Sequence, residues 1–174
     1  MVAAAAVIGP GRKAEGVDDS KKLTARQRRE CFLQLVETLD DWSIGMASAA
    51  EIDHLNILQA TRVAMVRAVR GLRVGPDHLL IDGRMELDVR IPQTSLVHGD
   101  ARCLSIASAS ILAKVARDTL VRGYARAVRG YGLDHNMGYG TAEHRRALAV
   151  RGPSNFHRRS FHVQGKLPFT KADV

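Results

Sequence analysis

The sequence predicts a single α/β domain, and three observations support that prediction. A chain of 174 residues suits one domain and leaves little room for two. Hydrophobic residues make up 45% of the chain and charged residues 25%, a balance typical of globular proteins. Short apolar segments of strand length alternate with longer segments whose apolar residues repeat at helical spacing. We place the domain at residues 1–165 and an irregular C-terminal tail at residues 166–174.

The first part of the chain predicts two strands and two longer helices. Two capping-box patterns, Thr24 with Gln27 and Ser48 with Glu51, indicate a helix start and a short helical turn respectively. The apolar opening segment ends at Gly-Pro-Gly, as a buried strand would. In order, the predicted elements are a strand at Met1–Ile8, a helix at Ala25–Leu39, a strand at Trp42–Met46 and a helix at Ile57–Val69.

The second part predicts two short strands, each followed by a carboxylate, and then helices. The run HLLIDG ends in Asp82, and a strand at Ser95–His98 is followed by Asp100. The segment SIASASILAKVARDTLVRGYARA carries small and aliphatic residues on one face and predicts a long, closely packed helix. Thr141 is placed to cap a last helix that reaches Val150.

Cysteine usage and hydropathy indicate a cytoplasmic protein that does not contact a membrane. Cys31 and Cys103 lie far apart without a C-x-x-C pattern, so we expect two reduced thiols and neither a disulfide framework nor a zinc finger. No apolar run approaches the roughly 18 residues of a membrane span. The opening residues lack the basic start of a signal peptide.

Positive charge is concentrated in the last third of the chain. The net charge is +8, and residues 115–174 hold 11 basic against 4 acidic side chains. Such asymmetry is typical of a surface that binds a polyanion, most simply nucleic acid, although a basic soluble protein would also show it. Most of these residues are arginine, whose planar fork suits bidentate phosphate contacts.

Asp82 and Asp100 are the candidate metal ligands. Ligands of α/β sheets gather at the carboxyl ends of strands, and both residues follow a predicted strand. Two neighbouring carboxylates repel each other unless a cation lies between them, and Mg²⁺ prefers such oxygen ligands. The alternative is structural: Asp82 serves as a turn residue before Gly83, and Asp100 caps the following helix.

Five blocks of sequence, in this order and spacing, resemble bacterial ribonuclease HII. They are VDDSKKL, EIDHLNILQAT, HLLIDGR, LVHGDARCLSIASASILAKVARD and GYGTAEH, followed by HRRSF. The resemblance covers the chain from Met1 to about Phe161. It implies a ribonuclease H-like mixed sheet flanked by helices. It also implies Mg²⁺- or Mn²⁺-dependent cleavage of RNA in RNA–DNA hybrids and of single ribonucleotides in duplex DNA, by a monomeric enzyme when complete.

The resemblance supplies only two of the four carboxylates that hold the ions in this family. Those two map onto Asp82 and Asp100. The other two belong to a D-E-x-G-R-G motif at the end of the family's first strand, and Met1 matches a point downstream of it. The adjacent pair Asp18-Asp19 is not a substitute, because its context matches a substrate loop. We therefore expect this chain to lack the central strand and to be a poor enzyme.

The resemblance also implies a set of residues that contact the nucleic acid. The tyrosine of GYGT lies near the scissile ribonucleotide in the family, where a phenol can sense the 2′-hydroxyl. Here the usual His-Lys before it is Asn136-Met137. We interpret Asp118 as an ion-pair partner rather than a metal ligand. The expected nucleic-acid contacts are Ser20, Lys21, Lys22, Lys114, Tyr139, Arg158 and Arg159.

Two other functions remain open at this point. A catalytically incompetent, nucleic-acid-binding remnant of such an enzyme would carry the same basic surface. A small-molecule α/β enzyme is disfavoured, because neither G-x-G-x-x-G nor G-x-x-x-x-G-K-[ST] occurs in the chain.

Overall fold

The computed structural model describes residues 1–9, 11 and 23–160, in which strands and helices alternate. The strands are β1 (Val2–Val7), β2 (Asp41–Met46), β3 (Leu79–Asp82) and β4 (Gln93–Leu96). The helices are α1 (Ala25–Thr38), α2 (Ala49–Leu55), α3 (Ile57–Arg70), α4 (Leu104–Ala127), α5 (Leu133–Asn136) and α6 (Ala142–Arg151), with a 3₁₀ turn at Gly99–Ala101. No helix in these ranges has the length and apolar character needed to cross a membrane.

Local side-chain hydrogen bonds fix the starts of α1 and α2. The Thr24 hydroxyl accepts from the amide of Gln27, whose side chain accepts in return from the Thr24 amide at 3.0 Å. Ser48 and Glu51 make the same reciprocal pair, at 3.1 and 2.8 Å. Each capping box satisfies two amides that have no partner within the helix. Both predicted capping boxes are confirmed.

The four strands form two separate pairs. β1 and β2 are antiparallel, with Val2 opposite Met46 and Val7 opposite Asp41. β3 and β4 are parallel, from Leu79 opposite Gln93 to Asp82 opposite Leu96. Within the described ranges, no ladder of hydrogen bonds joins the two pairs, so β1 and β3 each keep one edge without a strand partner there.

Side chains alternate across β1 and pack against helices on both faces. Ala3 belongs to a core cluster with Ala60 and Ala64 of α3. Ala4 and Ala6 instead pack on a cluster formed by α1 and α4, which contains the fully buried Leu35, Ile111 and Leu112. This alternation follows from the two-residue period of a strand. The β1–β2 pair is therefore covered by α3 on one face and by α1 and α4 on the other.

Gly45 of β2 lets α3 approach the sheet very closely. A Cβ atom at this position would lie 1.9 Å from the Ala64 carbonyl oxygen and 2.4 Å from the Ala68 amide nitrogen, both backbone atoms of α3. Ala60, Ala64 and Ala68 are fully buried along the same helix face. Small residues on both sides of the contact thus set the distance between α3 and the strand.

The two strand pairs share their covering helices. Met65 of α3 packs on the core cluster under β1 and also on the cluster formed by Leu79, Ile81 and Leu87 around β3. α4 likewise packs against both β1 and β3. The antiparallel and the parallel pair are therefore both covered by α3 and α4, in the α/β arrangement that the sequence predicts.

Strand β4 lies two residues before its predicted position. The prediction placed it at Ser95–His98, whereas the strand is Gln93–Leu96. Its register is set by pairing with β3 and by the Gln93 side chain, which bonds the amide and carbonyl of Leu87 at 2.8 and 2.9 Å. His98 has a φ of 55°, in the left-handed region, so the strand has ended before that residue.

The C-terminal elements pack on the second half of α4. Tyr131, Leu133 and Leu148 form a buried cluster against this helix. The loop after α6 is held to α4 by the ring of Phe156, which stacks on Tyr124 with centroids 4.2 Å apart. This packing brings residues 153–160 back towards the sheet.

Candidate functional site

Two carboxylates lie at one edge of the parallel strand pair. Asp82 is the last residue of β3, and Asp100 lies in the 3₁₀ turn that follows β4. Because parallel strands end at the same edge of a sheet, both carboxyl groups come to that edge. The Asp82 side chain is exposed, whereas Asp100 is buried with 6% of its surface accessible.

A backbone hydrogen bond ties the two carboxylate-bearing segments together. The amide of Gly99 donates to Oδ1 of Asp82 at 3.0 Å, and Gly99 directly precedes Asp100. The left-handed conformation of His98 turns the chain so that this amide points back to β3. The arrangement fixes the end of β3 relative to the turn that carries Asp100.

The donor set at this edge fits one hard divalent cation. Asp82 and Asp100 offer carboxylate oxygens, and Mg²⁺ is commonly bound by one or two carboxylates together with substrate phosphates. Among the residues that the structure describes, no group of three or more His, Cys, Asp or Glu side chains could hold a metal ion. The described part of the chain therefore offers two candidate ligands at this edge, Asp82 and Asp100.

A second cluster of polar side chains lies farther along α4. Lys114 and Arg117 both contact Tyr139, at 5.2 and 4.7 Å from the ring centroid, and the Lys114 ammonium is 3.2 Å from the phenol oxygen. Both cations also pair with Asp118, which confirms the ion-pair interpretation of this residue. Lys114 is ten residues from Leu104, so this cluster lies about 15 Å along the helix axis from the start of α4.

The loop after α6 adds positive charge beside this cluster. Burial and the nearby charge of Arg117 lower the pKa of Arg158. Its neighbours Arg159 and Ser160 donate backbone hydrogen bonds to Asp53 of α2, both at 2.9 Å. Burial alone would raise the pKa of Asp53, but these hydrogen bonds and the Ser160 hydroxyl lower it overall. The carboxylate of Asp53 thus anchors the segment that carries both predicted arginines.

The start of β1 lies in the same positive region. The Met1 ammonium donates to the carbonyl of Ala47 at 2.6 Å. Burial and the charges of Arg158 and Arg117 lower the pKa of this ammonium group. The first residue of β1 is therefore close to the cluster formed by α4 and the loop after α6.

The predicted site residues fall into four groups. Asp82 and Asp100 come together at the sheet edge, and Lys114, Tyr139 and Arg158 come together around α4. The side chain of Arg159 is exposed, next to the anchor at Asp53. Ser20, Lys21 and Lys22 lie outside the residues that the structure describes.

Sequence reasoning missed Arg117 and Asp53. Arg117 follows Lys114 by three residues, so helical spacing alone placed both on one face of the predicted helix. No comparable signal existed for Asp53, because it is 106 residues before Arg159.

Comparison with known proteins identifies the family. The ribonuclease HII family profile matches residues 1–164. Ribonuclease HII of Paracoccus denitrificans is 50% identical over 168 residues, which are 96% of this chain and 80% of that protein. Ribonuclease HII of Moorella thermoacetica is 51% identical over 161 residues, which are 92% of this chain and 78% of that protein.

Solved structures with the same fold include two archaeal proteins. Ribonuclease H2 of Pyrococcus horikoshii OT3 matches with a TM-score of 0.68 and 24% identity over 92% of this chain and 94% of the other. The ribonuclease HII in a PCNA complex from Archaeoglobus fulgidus matches with a TM-score of 0.71 and 18% identity, over 95% and 96% of the two chains. The family match, the identity to these bacterial relatives and the shared fold together show that this chain belongs to the ribonuclease HII family of ribonuclease H enzymes.

Proposed function

We propose that the chain is an endonuclease that cleaves the RNA strand of RNA–DNA hybrids and single ribonucleotides embedded in duplex DNA. The observation that carries this proposal is the placement of Asp82 and Asp100 at one edge of the parallel strand pair, in a chain of the ribonuclease HII family. Both residues are proposed as metal ligands and catalytic residues. Mg²⁺ or Mn²⁺ is the proposed cofactor.

The chemistry at this edge is phosphodiester hydrolysis. A divalent cation, when bound, supplies an activated water and stabilises the charge that develops on the departing oxygen. Asp82 and Asp100 would hold the cation, and the Gly99 amide keeps Asp82 oriented by occupying Oδ1. The described residues contribute two carboxylates, and the family resemblance implies two more on a D-E-x-G-R-G strand.

The nucleic acid is proposed to lie across α4. The Lys114–Tyr139 cluster lies on α4, the helix that follows the turn carrying Asp100, so one bound duplex is proposed to contact both. Lys114, Arg158, Arg159 and the loop residues Ser20, Lys21 and Lys22 are proposed to contact phosphates. Tyr139, with 55% of its surface exposed, is proposed to contact the ribonucleotide.

A second candidate function is binding of such duplexes without cleavage. The specific observation in its favour is that no group of three or more potential ligands occurs in the described part of the chain. Two carboxylates alone hold the ion weakly and do not fix a two-ion geometry. Both functions use the same surface, so binding assays cannot separate them.

Cleavage of a defined duplex separates the two candidates. The substrate is an end-labelled DNA duplex with one ribonucleotide, incubated with Mg²⁺ or Mn²⁺, and the matched substrate contains only deoxyribonucleotides. An endonuclease gives a single cut at the ribonucleotide, which Asp82→Asn and Asp100→Asn abolish. The control variant is Asp88→Asn, which changes an exposed carboxylate between β3 and β4 and still cleaves at the ribonucleotide. Tight binding without any cut would favour the second candidate.

A further inference from the structure

The side chain of Asp118 forms ion pairs with two cations, Lys114 and Arg117. Its Oδ1 accepts hydrogen bonds from the Lys114 ammonium at 2.9 Å and from the Arg117 guanidinium at 3.1 Å. All three side chains are mostly buried, with exposed fractions of 15% for Asp118, 25% for Lys114 and 30% for Arg117. Solvent and salt screen partly buried ion pairs less than fully exposed ones. The Asp118 carboxylate therefore holds both cations in place.

The two cations in turn hold Tyr139. Lys114 reaches both the phenol oxygen and the ring, and the Arg117 guanidinium lies 4.7 Å from the ring centroid. Arg117 also donates to the carbonyl of Met137 at 2.7 Å, so it fixes the backbone two residues before the tyrosine. The attraction between a cation and an aromatic ring stabilises both contacts.

Tyr139 has little other support for its orientation. Its side chain is 55% exposed and belongs to none of the buried core clusters of the described residues. The preceding residues Met137 and Gly138 both have positive φ, so the ring projects from a tight turn. The contacts that define its direction are those with Lys114 and Arg117, and both cations depend on Asp118.

We propose that Asp118 is a positioning residue that orients Tyr139 towards the ribonucleotide by holding Lys114 and Arg117 against the ring. The role of Tyr139 itself rests on the proposed function. Without the carboxylate, two like charges three residues apart on one helix repel each other, and both lose an anionic partner although Arg117 keeps its bond to Met137. Asp118 pairs with Lys114 and Arg117, so its role differs from the proposed ligand role of Asp82 and Asp100.

The first experiment needs no nucleic acid. In lysine-labelled protein, NMR reports the ε-methylene protons of Lys114, whose chemical shift depends on the nearby ring and which Lys114→Arg identifies. We expect Asp118→Asn to move this signal towards its position in Tyr139→Ala. The matched control is Glu30→Gln, which breaks an exposed Arg26–Glu30 pair of the same i, i+4 kind and leaves the signal unchanged. An unchanged signal in Asp118→Asn overturns the proposal.

The second experiment measures how well the protein discriminates a ribonucleotide-containing duplex from an all-DNA duplex. Binding of a duplex with one ribonucleotide is compared with binding of the all-DNA duplex, in a chelator so that no cleavage occurs. We expect Asp118→Asn to lower the ratio of the two affinities about threefold or more. We expect Arg117→Lys to lower this ratio as well, although it leaves the charge unchanged. Lysine lacks the planar guanidinium with which Arg117 bonds Asp118 and Met137 at the same time. Glu30→Gln leaves the ratio at the wild-type value.

A double-mutant cycle separates positioning from a general structural effect. If Asp118 acts through Tyr139, Asp118→Asn lowers the ratio no further once Tyr139→Ala is present. Additive losses in the cycle, or an unchanged ratio in folded Asp118→Asn, overturn the proposal. If the wild type binds both duplexes equally, the proposed role of Tyr139 is contradicted. The NMR result then still decides whether Asp118 positions the ring.

Discussion

The amide of Gly99 donates a hydrogen bond to Oδ1 of Asp82, and this contact joins the end of β3 to the turn after β4. The two residues are 17 positions apart, yet the bond fixes Asp82 beside the segment that carries Asp100. This hydrogen bond uses Oδ1 of Asp82, so the proposed ligand role assigns Oδ2 to the cation. A structural contact and the proposed ligand role thus share one side chain.

The Asp82–Gly99 bond predicts different outcomes for two substitutions of Asp82. Asp82→Asn keeps an oxygen that can accept from Gly99, so its melting temperature should stay close to that of the wild type. Asp82→Ala removes the acceptor and leaves the amide unpaired, which should cost about 1–2 kcal/mol of stability. Thermal unfolding by circular dichroism measures both. Equal melting temperatures for the two variants would show that the bond does not contribute to stability.

Close packing at Gly45 predicts a large and local effect on stability. Gly45→Ala places a methyl group against the backbone of α3, and relieving that overlap should cost about 1–3 kcal/mol or more. Gly75→Ala is the matched control, because a Cβ there meets no atom within 4 Å and the backbone is not left-handed. Urea unfolding compares the two variants. A Gly45→Ala protein as stable as Gly75→Ala would mean that α3 can shift away from the sheet at little cost.

The charge of the loop after α6 predicts a salt-dependent affinity. If Arg158 and Arg159 each contact a phosphate, their joint replacement by alanine should lower the slope of log affinity against log salt by about 2. Arg26→Ala on α1 controls for general loss of charge, since this exposed arginine pairs with Glu30. Fluorescence anisotropy of a labelled duplex at several salt concentrations gives the slopes. If the slope is unchanged, neither arginine contacts a phosphate, and both serve only to anchor the loop.

Acid is expected to weaken the same loop through His157. Burial, together with the neighbouring His144, lowers the pKa of His157 below its ordinary value near 6.5. The unfolded chain therefore binds a proton more readily than the folded one, so stability is complete above about pH 6.5 and falls as the pH drops below it. The melting temperature measured between pH 7.5 and pH 5.5 should fall less in His157→Asn than in the wild type. An equal fall in both proteins would assign the acid sensitivity to other groups.

Helix starts could be predicted closely because their causes are local. The reciprocal bonds of Thr24 with Gln27, and of Ser48 with Glu51, span three residues and are visible as sequence patterns. Strand β4 was misplaced by two residues because its register depends on β3 and on a left-handed residue at His98, neither of which leaves a local pattern. Long-range pairing decides where such short strands begin and end.

The sequence could predict candidate site residues that belong to a local pattern. It could not predict those that only tertiary packing brings together. Asp82 and Asp100 are candidates because each follows a short apolar run. Helical spacing puts Arg117 on the face of Lys114, but it does not show that this face meets Tyr139, which lies in a turn 22 residues later. Electrostatic clusters of this kind become visible only once the helices are packed.

The edges of β1 and β3 are related through α4. Among the described residues no strand joins β1 to β3, although α4 packs against both. A strand carrying D-E-x-G-R-G, which the family resemblance implies, would pair with both edges and bring two further carboxylates towards Asp82 and Asp100.

The most direct test is the rate of cleavage of a duplex with a single ribonucleotide, in Mg²⁺ or Mn²⁺, for the wild type and for the Asp82→Asn, Asp100→Asn and Asp88→Asn variants. The account predicts a cut at the ribonucleotide that Asp88→Asn keeps and that Asp82→Asn and Asp100→Asn abolish. Full activity of Asp82→Asn or Asp100→Asn would contradict the assignment of the metal ligands.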